Sequence, residues 1–233
     1  MARDPRRHQR RLERQKAKDK ARRRAIAEQA CPDTAKRMQR AALDPILHCF
    51  TTTDLFEHGM ASVFMSRELS NGGVAFAVFL VDMYCLGVKD VAFGFTTRGD
   101  YDWRVYTKTA REYEIVSLKP AAARKLIEGA VEFAKEAGFP PHRDYRKVKP
   151  IFGDIDVNDC TDQFTYGKAG KPFFFAGPRD SPTRCRQILN TLSNRFGPEG
   201  FDYALVTSDL ASAPAGAYIS ALDDFDEVEE MDG

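Results

Sequence analysis

The chain lacks any apolar run long enough to cross a membrane. Its longest, Val74 to Leu86, is interrupted by Asp82 and falls short of the roughly 18–20 residues that a span needs, so it reads as a buried strand. The first residues hold no apolar stretch of the secretory type, and acidic residues among their arginines argue against a mitochondrial transit peptide. The expectation is a cytoplasmic protein. Cysteine is sparse: Cys31, Cys49, Cys85, Cys160 and Cys185 are odd in number, widely spaced and form no C-x-x-C pair. That pattern indicates neither a disulfide framework nor a zinc site. Buried thiols in a reducing compartment are expected, with Cys185, among arginines, in the best surroundings for a reactive one. No internal repeat is visible.

Charge is present but segregated. The net charge of +1 over 233 residues conceals a basic N-terminal segment and an acidic C-terminal one. Residues 1–40 hold fifteen Lys or Arg against five Asp or Glu. Residues 221–233 hold seven acidic residues and no basic one, and the 41–222 body is close to neutral. Three parts follow: a basic arm over 1–43, a globular domain over 44–210, and a linker with an acidic tail over 211–233.

Arg6, Arg7, Arg10, Arg11 and Arg14 recur at spacings of three and four, which on a helix makes one stripe of guanidinium groups. Lys16, Lys18, Lys20, Arg22, Arg23 and Arg24 extend it. Such an arm neutralises phosphates and releases counterions without reading sequence. No groove-reading helix-turn-helix is visible, so RNA or the ribosome is favoured over DNA. The arm has no apolar face, which excludes membrane-surface binding of the amphipathic kind. The tail, DDFDEVEEMD, has the charge to fold over the arm, or it is a solubility tail.

The body reads as α+β. A helix begins near Asp33 or Thr34 and stops before Pro45. Strands are expected at Ser62–Leu69, from Val74 to Asp82 after the turn Asn71-Gly72-Gly73, and from Val88 to Thr96. Residues 101–116 read as a loop or short helix leading to a strand at 114–117. Pro120 opens a helix that Gly138 closes. A second hairpin is expected across Gly167–Lys171, then a helix capped by Ser181 or Thr183 running to Phe196, then a strand at Tyr203–Val206. The order is β-meander, helix, hairpin, helix, strand: a mainly antiparallel sheet with helices on one side.

FLVDMYCLGVKD (79–90), IEGAVEFAKEAGFPPHRDY (127–145) and GKPFFFAGPRDSPTRCRQIL (170–189) resemble segments of a group of uncharacterised bacterial proteins. The resemblance covers about residues 44–206. It implies a bacterial, cytosolic domain and carries no activity and no catalytic residue with it.

Two constellations in the body bear on chemistry. In HRDYRKVKP, the residues Arg143, Tyr145, Arg146, Lys147 and Lys149 offer phosphate contacts and a ring for base stacking. His142 beside Asp144 has the make-up of an oriented general base, as His58 does less clearly. Asp82 at a strand end, with Asp154 and Asp156, offers the carboxylates that a Mg²⁺-dependent phosphodiesterase or nuclease needs, with Asp90 and Glu128 as further ligands. The simpler expectation is that Asp82 pairs with Lys89 or Arg67 or bonds turn amides. The leading reading is therefore an RNA-binding protein that needs no cofactor. A metal-dependent phosphodiesterase, with Mg²⁺ as its cofactor, is the second reading. A protein–protein adaptor with solubilising tails is the third.

Overall fold

In Gly73–Asp82 every residue from Val74 onward is buried, and only its last side chain is polar. Successive side chains of a strand point to opposite faces, so a strand apolar at every position needs cover on both. The computed structural model, which describes residues 33–53, 59–177 and 180–205, supplies it. The strands are β1 (Ile46–Thr52), β2 (Met60–Glu68), β3 (Gly73–Asp82), β4 (Gly87–Thr97) and β5 (Ile115–Ser117). They form one antiparallel sheet in the order β4-β3-β2-β1-β5. The fold is α+β.

Ala75, Ala77, Phe79 and Val81 of β3 face one layer, made of α1 (Thr34–Ala41), α3 (Pro120–Glu136), α4 (Tyr145–Val148) and the tight turn Lys149–Phe152. Val74, Phe76, Val78 and Leu80 face the other way, onto α2, a continuous helical segment over 98–112 that widens to π geometry at Tyr101–Thr107. Tyr101, Val105 and Thr109 of α2 turn inward at intervals of four residues. Helices thus cover both faces, where the sequence pattern places them on one. The apolar content of β3 is the reason.

α1 belongs to this core. Asp33 caps it by accepting from the Ala35 amide at 3.2 Å, and Met38 is wholly buried. The expected arm of residues 1–43 therefore ends in a helix packed into the body. α3 ends as its sequence indicates: the Gly138 amide (φ +94) donates to Lys135 O, and the Phe139 amide donates to Ala134 O. That pair of bonds satisfies the last carbonyls of the helix.

A smaller unit completes the chain. β6 (Phe173–Phe175), α5 (Pro182–Phe196) and β7 (Asp202–Ala204) form a β-α-β unit in which β6 and β7 are parallel. Ser181 caps α5 through the Arg184 amide. Phe174, Ile188, Leu192 and Phe201 pack onto Cys85, Leu86 and Ala137, at the β3–β4 turn and the end of α3. The expected second hairpin is corrected here. Its turn forms, with Lys168 and Lys171 exchanging backbone bonds of 2.8 and 3.1 Å across Ala169 and Gly170 in left-handed conformation. Residues 164–166 make no strand beside it, because the Phe173 amide donates to Tyr84 O and β6 takes β7 as its partner. β1 has no counterpart in the sequence pattern, yet it lies between β2 and β5 and ties the two ends of the sheet region together.

Candidate nucleic-acid interface

Asp82 ends β3, and its carboxylate turns back over the following residues. Oδ1 accepts from the amides of Tyr84 and Cys85 at 2.9 and 3.0 Å, and Oδ2 from Leu86 at 3.2 Å. It is 3% exposed. Burial pushes its pKa up, while Lys89 and the three amides pull the other way. Lys89 sits at a β-bulge in β4 and pairs with Asp180 at 3.4 Å rather than with Asp82. The carboxylate thus locks the β3–β4 turn, the simpler of the two expectations for it.

The other carboxylates are not gathered around it. Asp156 is exposed and caps the short turn Val157–Asp159 through the Asn158 amide at 2.9 Å. Asp154, two residues earlier on the same segment, is exposed beside α1. Glu128 pairs with Arg124 at 3.0 Å and Lys149 at 3.1 Å, and Asp90 binds its neighbour's amide. Among the described residues no three His, Cys, Asp or Glu side chains converge as metal ligands. His142 Nδ1 accepts from the Asp144 amide at 3.4 Å, and its Nε2 lies 3.7 Å from Asp90. His58 lies outside the described residues.

The basic segment 143–149 is partly neutralised by its own aspartate. Lys147 and Arg143 reach Asp144 at 2.7 and 3.6 Å respectively. Burial alone would raise the Asp144 carboxyl. The hydrogen bond and charge of Lys147, then His142 and Arg143, outweigh it and hold Asp144 below the usual carboxylate range. Tyr145 corrects an expectation. It is 4% exposed, its ring meets Phe79 edge-on at 6.1 Å, and burial raises its hydroxyl. It offers no face to a base, because the sheet core has already taken the ring.

Arg146 and Lys149 have a different setting. With Arg67 and Arg124 they line a cavity of about 840 Å³ whose other wall is the end of α1 and Leu43–Pro45. Arg67 projects from β2 and is 5% exposed. Its Nε donates to Ile151 O at 3.2 Å, Nη1 to Asp44 O at 2.9 Å and Nη2 to Phe152 O at 3.1 Å. Arg124 of α3 donates from Nη1 to Gly153 O at 3.2 Å and Ile155 O at 2.6 Å. Lys125 donates to Cys160 O and Asp162 O. Three cations therefore suspend the acidic stretch 151–162 by its carbonyls. Gly153 (φ +58) lets the backbone pass, since a Cβ there would sit 3.0 Å from Ala42 Cβ.

Local basicity marks Arg146 and Lys149 in the sequence but does not mark Arg67 and Arg124 as cavity residues. The signal for those two is weak: an arginine inside the apolar strand MASVFMSRE, and one in the first turns of PAAARKL. Arm residues 1–32 and the tail from 206 onward, including Arg6 to Arg24, lie outside the described residues. Among the described residues no helix is long and apolar enough to cross a membrane. Comparison with known proteins finds no matching family model, no matching curated protein and no matching solved structure.

Proposed function

We propose that this chain is an RNA-binding, ribosome-associated protein of the cytoplasm, in which the basic arm supplies phosphate contacts and the body adds a second patch. One observation carries the reading: fifteen basic residues against five acidic within residues 1–40, on a nearly neutral body. Charge concentrated in this way gives strong, sequence-independent attraction to a polyanion and little to neutral partners. Arg143, Arg146 and Lys149 support it, since each lies exposed at the surface. No cofactor is part of this reading, and Asp82 takes no part in it beyond holding its turn.

The test is sedimentation on a ribosome gradient, at low and high salt, of the full chain beside a chain starting at Asp33. The cut spares Asp33 because α1 is core, and a cut at residue 41 would strip Met38 from beneath the sheet. Migration with ribosomal fractions that needs the arm and fades with salt supports the proposal. Both proteins remaining at the top removes the ribosome from it. Complexes with other proteins that survive loss of the arm would favour an adaptor instead.

A further inference from the structure

The cavity beside α1 holds more positive charge than its structural duties use. Arg67, Arg124, Arg146 and Lys149 line it with two carboxylates, Asp44 and Asp154, and Glu128 pairs with Arg124 at 3.0 Å and Lys149 at 3.1 Å, which leaves one positive charge in excess. Arg67 is buried and its hydrogen bonds go to three carbonyl oxygens; among the described residues no carboxylate pairs with it. Asp154 and Asp44 lie near enough to favour its charge, but neither forms an ion pair with it, so part of the cost of burying it is open to a further anion. Each guanidinium has five N–H groups. Three of those on Arg67 meet carbonyls, three of those on Arg124 meet Glu128, Gly153 and Ile155, and Arg146 forms no ion pair among the described residues. Spare N–H groups on planar forks are what two oxygens of a phosphate accept from.

We infer that this cavity seats a phosphate group of the bound RNA strand, held by Arg146 and Arg124 with the buried charge of Arg67 behind them. The inference rests on the RNA-binding reading and names the second contact that the body makes. Position supports it. The arm joins the body at Asp33, and α1, about 12 Å long at 1.5 Å per residue, runs from that junction to the cavity wall at Gln39 and Ala42. A strand that contacts the arm next to Asp33 has only the length of α1 to cross to reach the cavity. Leu43, 89% exposed at the rim, offers apolar surface to the sugar or base of the same nucleotide.

The experiment uses the full chain and Arg146→Glu, with Arg146→Lys as the charge-preserving control. Binding of a short fluorescein-labelled single-stranded RNA is followed by anisotropy over a salt series. Thermal unfolding is followed with and without inorganic pyrophosphate. Arg146 is exposed and outside the core, so the melting temperature without pyrophosphate is expected to be the same in all three proteins. The expected result is RNA binding weakened about tenfold in Arg146→Glu, with the log–log salt slope reduced by about one, and near-parent binding in Arg146→Lys. RNA bound with the same affinity and slope by Arg146→Glu overturns the cavity and leaves the arm reading standing. If the full chain binds no RNA, the arm reading falls and pyrophosphate decides the cavity. A melting temperature raised in the parent but not in Arg146→Glu upholds a phosphate site there, and no rise in either overturns it.

Discussion

Asp82 and Arg67 are buried charged side chains that spend themselves on the backbone. Asp82 gathers the amides of Tyr84, Cys85 and Leu86, and Arg67 gathers the carbonyls of Asp44, Ile151 and Phe152. A buried amide that loses its acceptor incurs its desolvation cost, about 1–3 kcal/mol for each group. Asp82→Ala orphans three such amides at once, and partial access of water to the opened turn offsets some of that cost. The expected loss is about 3 kcal/mol in urea unfolding. A loss below about 0.5 kcal/mol, the range of ordinary surface changes, would show that the turn does not depend on this carboxylate. The buried thiols behave as hydrophobes at the same scale: burial pushes Cys49 up to about 12 against the pull of Arg67, which leaves it unreactive at neutral pH.

Turns and helix packing set the next scale. Gly72 and Gly87 both have positive φ, at +80° and +64°, and both lie at turns flanking β3. Their surroundings differ. A Cβ at Gly72 meets nothing within 4 Å, whereas one at Gly87 lies 2.8 Å from Ala130 O and Ala134 Cβ of α3. Gly72→Ala therefore adds only backbone strain, about 1 kcal/mol. Gly87→Ala adds a collision between the β3–β4 turn and α3, and is expected to cost at least about 2 kcal/mol. Thermal unfolding of the two variants side by side checks the order, and equal losses would mean that the turn and helix are not in firm contact.

β1 meets α2 through rings. His48 stacks on Tyr106 at 4.3 Å and lies 5.7 Å from Tyr101, whose hydroxyl contacts His48 Nδ1 at 3.3 Å and Ser66 Oγ at 2.9 Å. Burial, then Arg98, lowers the His48 pKa, with Asp102 opposing. The folded protein thus binds the His48 proton more weakly than the unfolded chain, whose histidine titrates near about 6.5. Acidification from about pH 6.5 downward gives protons to the unfolded state first, so stability falls through that window until His48 protonates in the fold as well. His48→Gln is expected to flatten this part of the stability–pH curve. A histidine titration by NMR that places His48 above about 6.5 would reverse the sign.

At the scale of the molecule, two charged segments flank a body whose own charges are mostly engaged. Asp144 with Lys147 and Arg143, Glu128 with Arg124 and Lys149, and Asp180 with Lys89 and Arg184 neutralise one another. In the proposed RNA-binding reading, long-range attraction to the polyanion therefore falls largely to the arm. If about six arm side chains contact phosphates, the log–log salt slope for single-stranded RNA is expected near −4, and it should collapse when residues 1–32 are removed. A slope unchanged by that removal would move the electrostatics to the body.

Elements with local signals are legible in the residues alone. A long apolar run marked β3 as a buried strand, Ser181 or Thr183 marked the start of α5, Gly138 the end of α3, and the run of arginines marked the arm. These depend on residues near one another in the chain, where propensity, capping and charge act directly. Tertiary structure alone decided the pairing of β1 with β5, the parallel match of β6 with β7, the loss of Tyr145 to the core and the convergence of Arg67, Arg124, Arg146 and Lys149. Each joins residues far apart in sequence, and the outcome turns on which partner completes a hydrogen-bond ladder or fills a space. The charge of every cavity residue is written in the sequence. That four of them line one cavity follows only from folding β2, α3 and the 146–152 segment against α1.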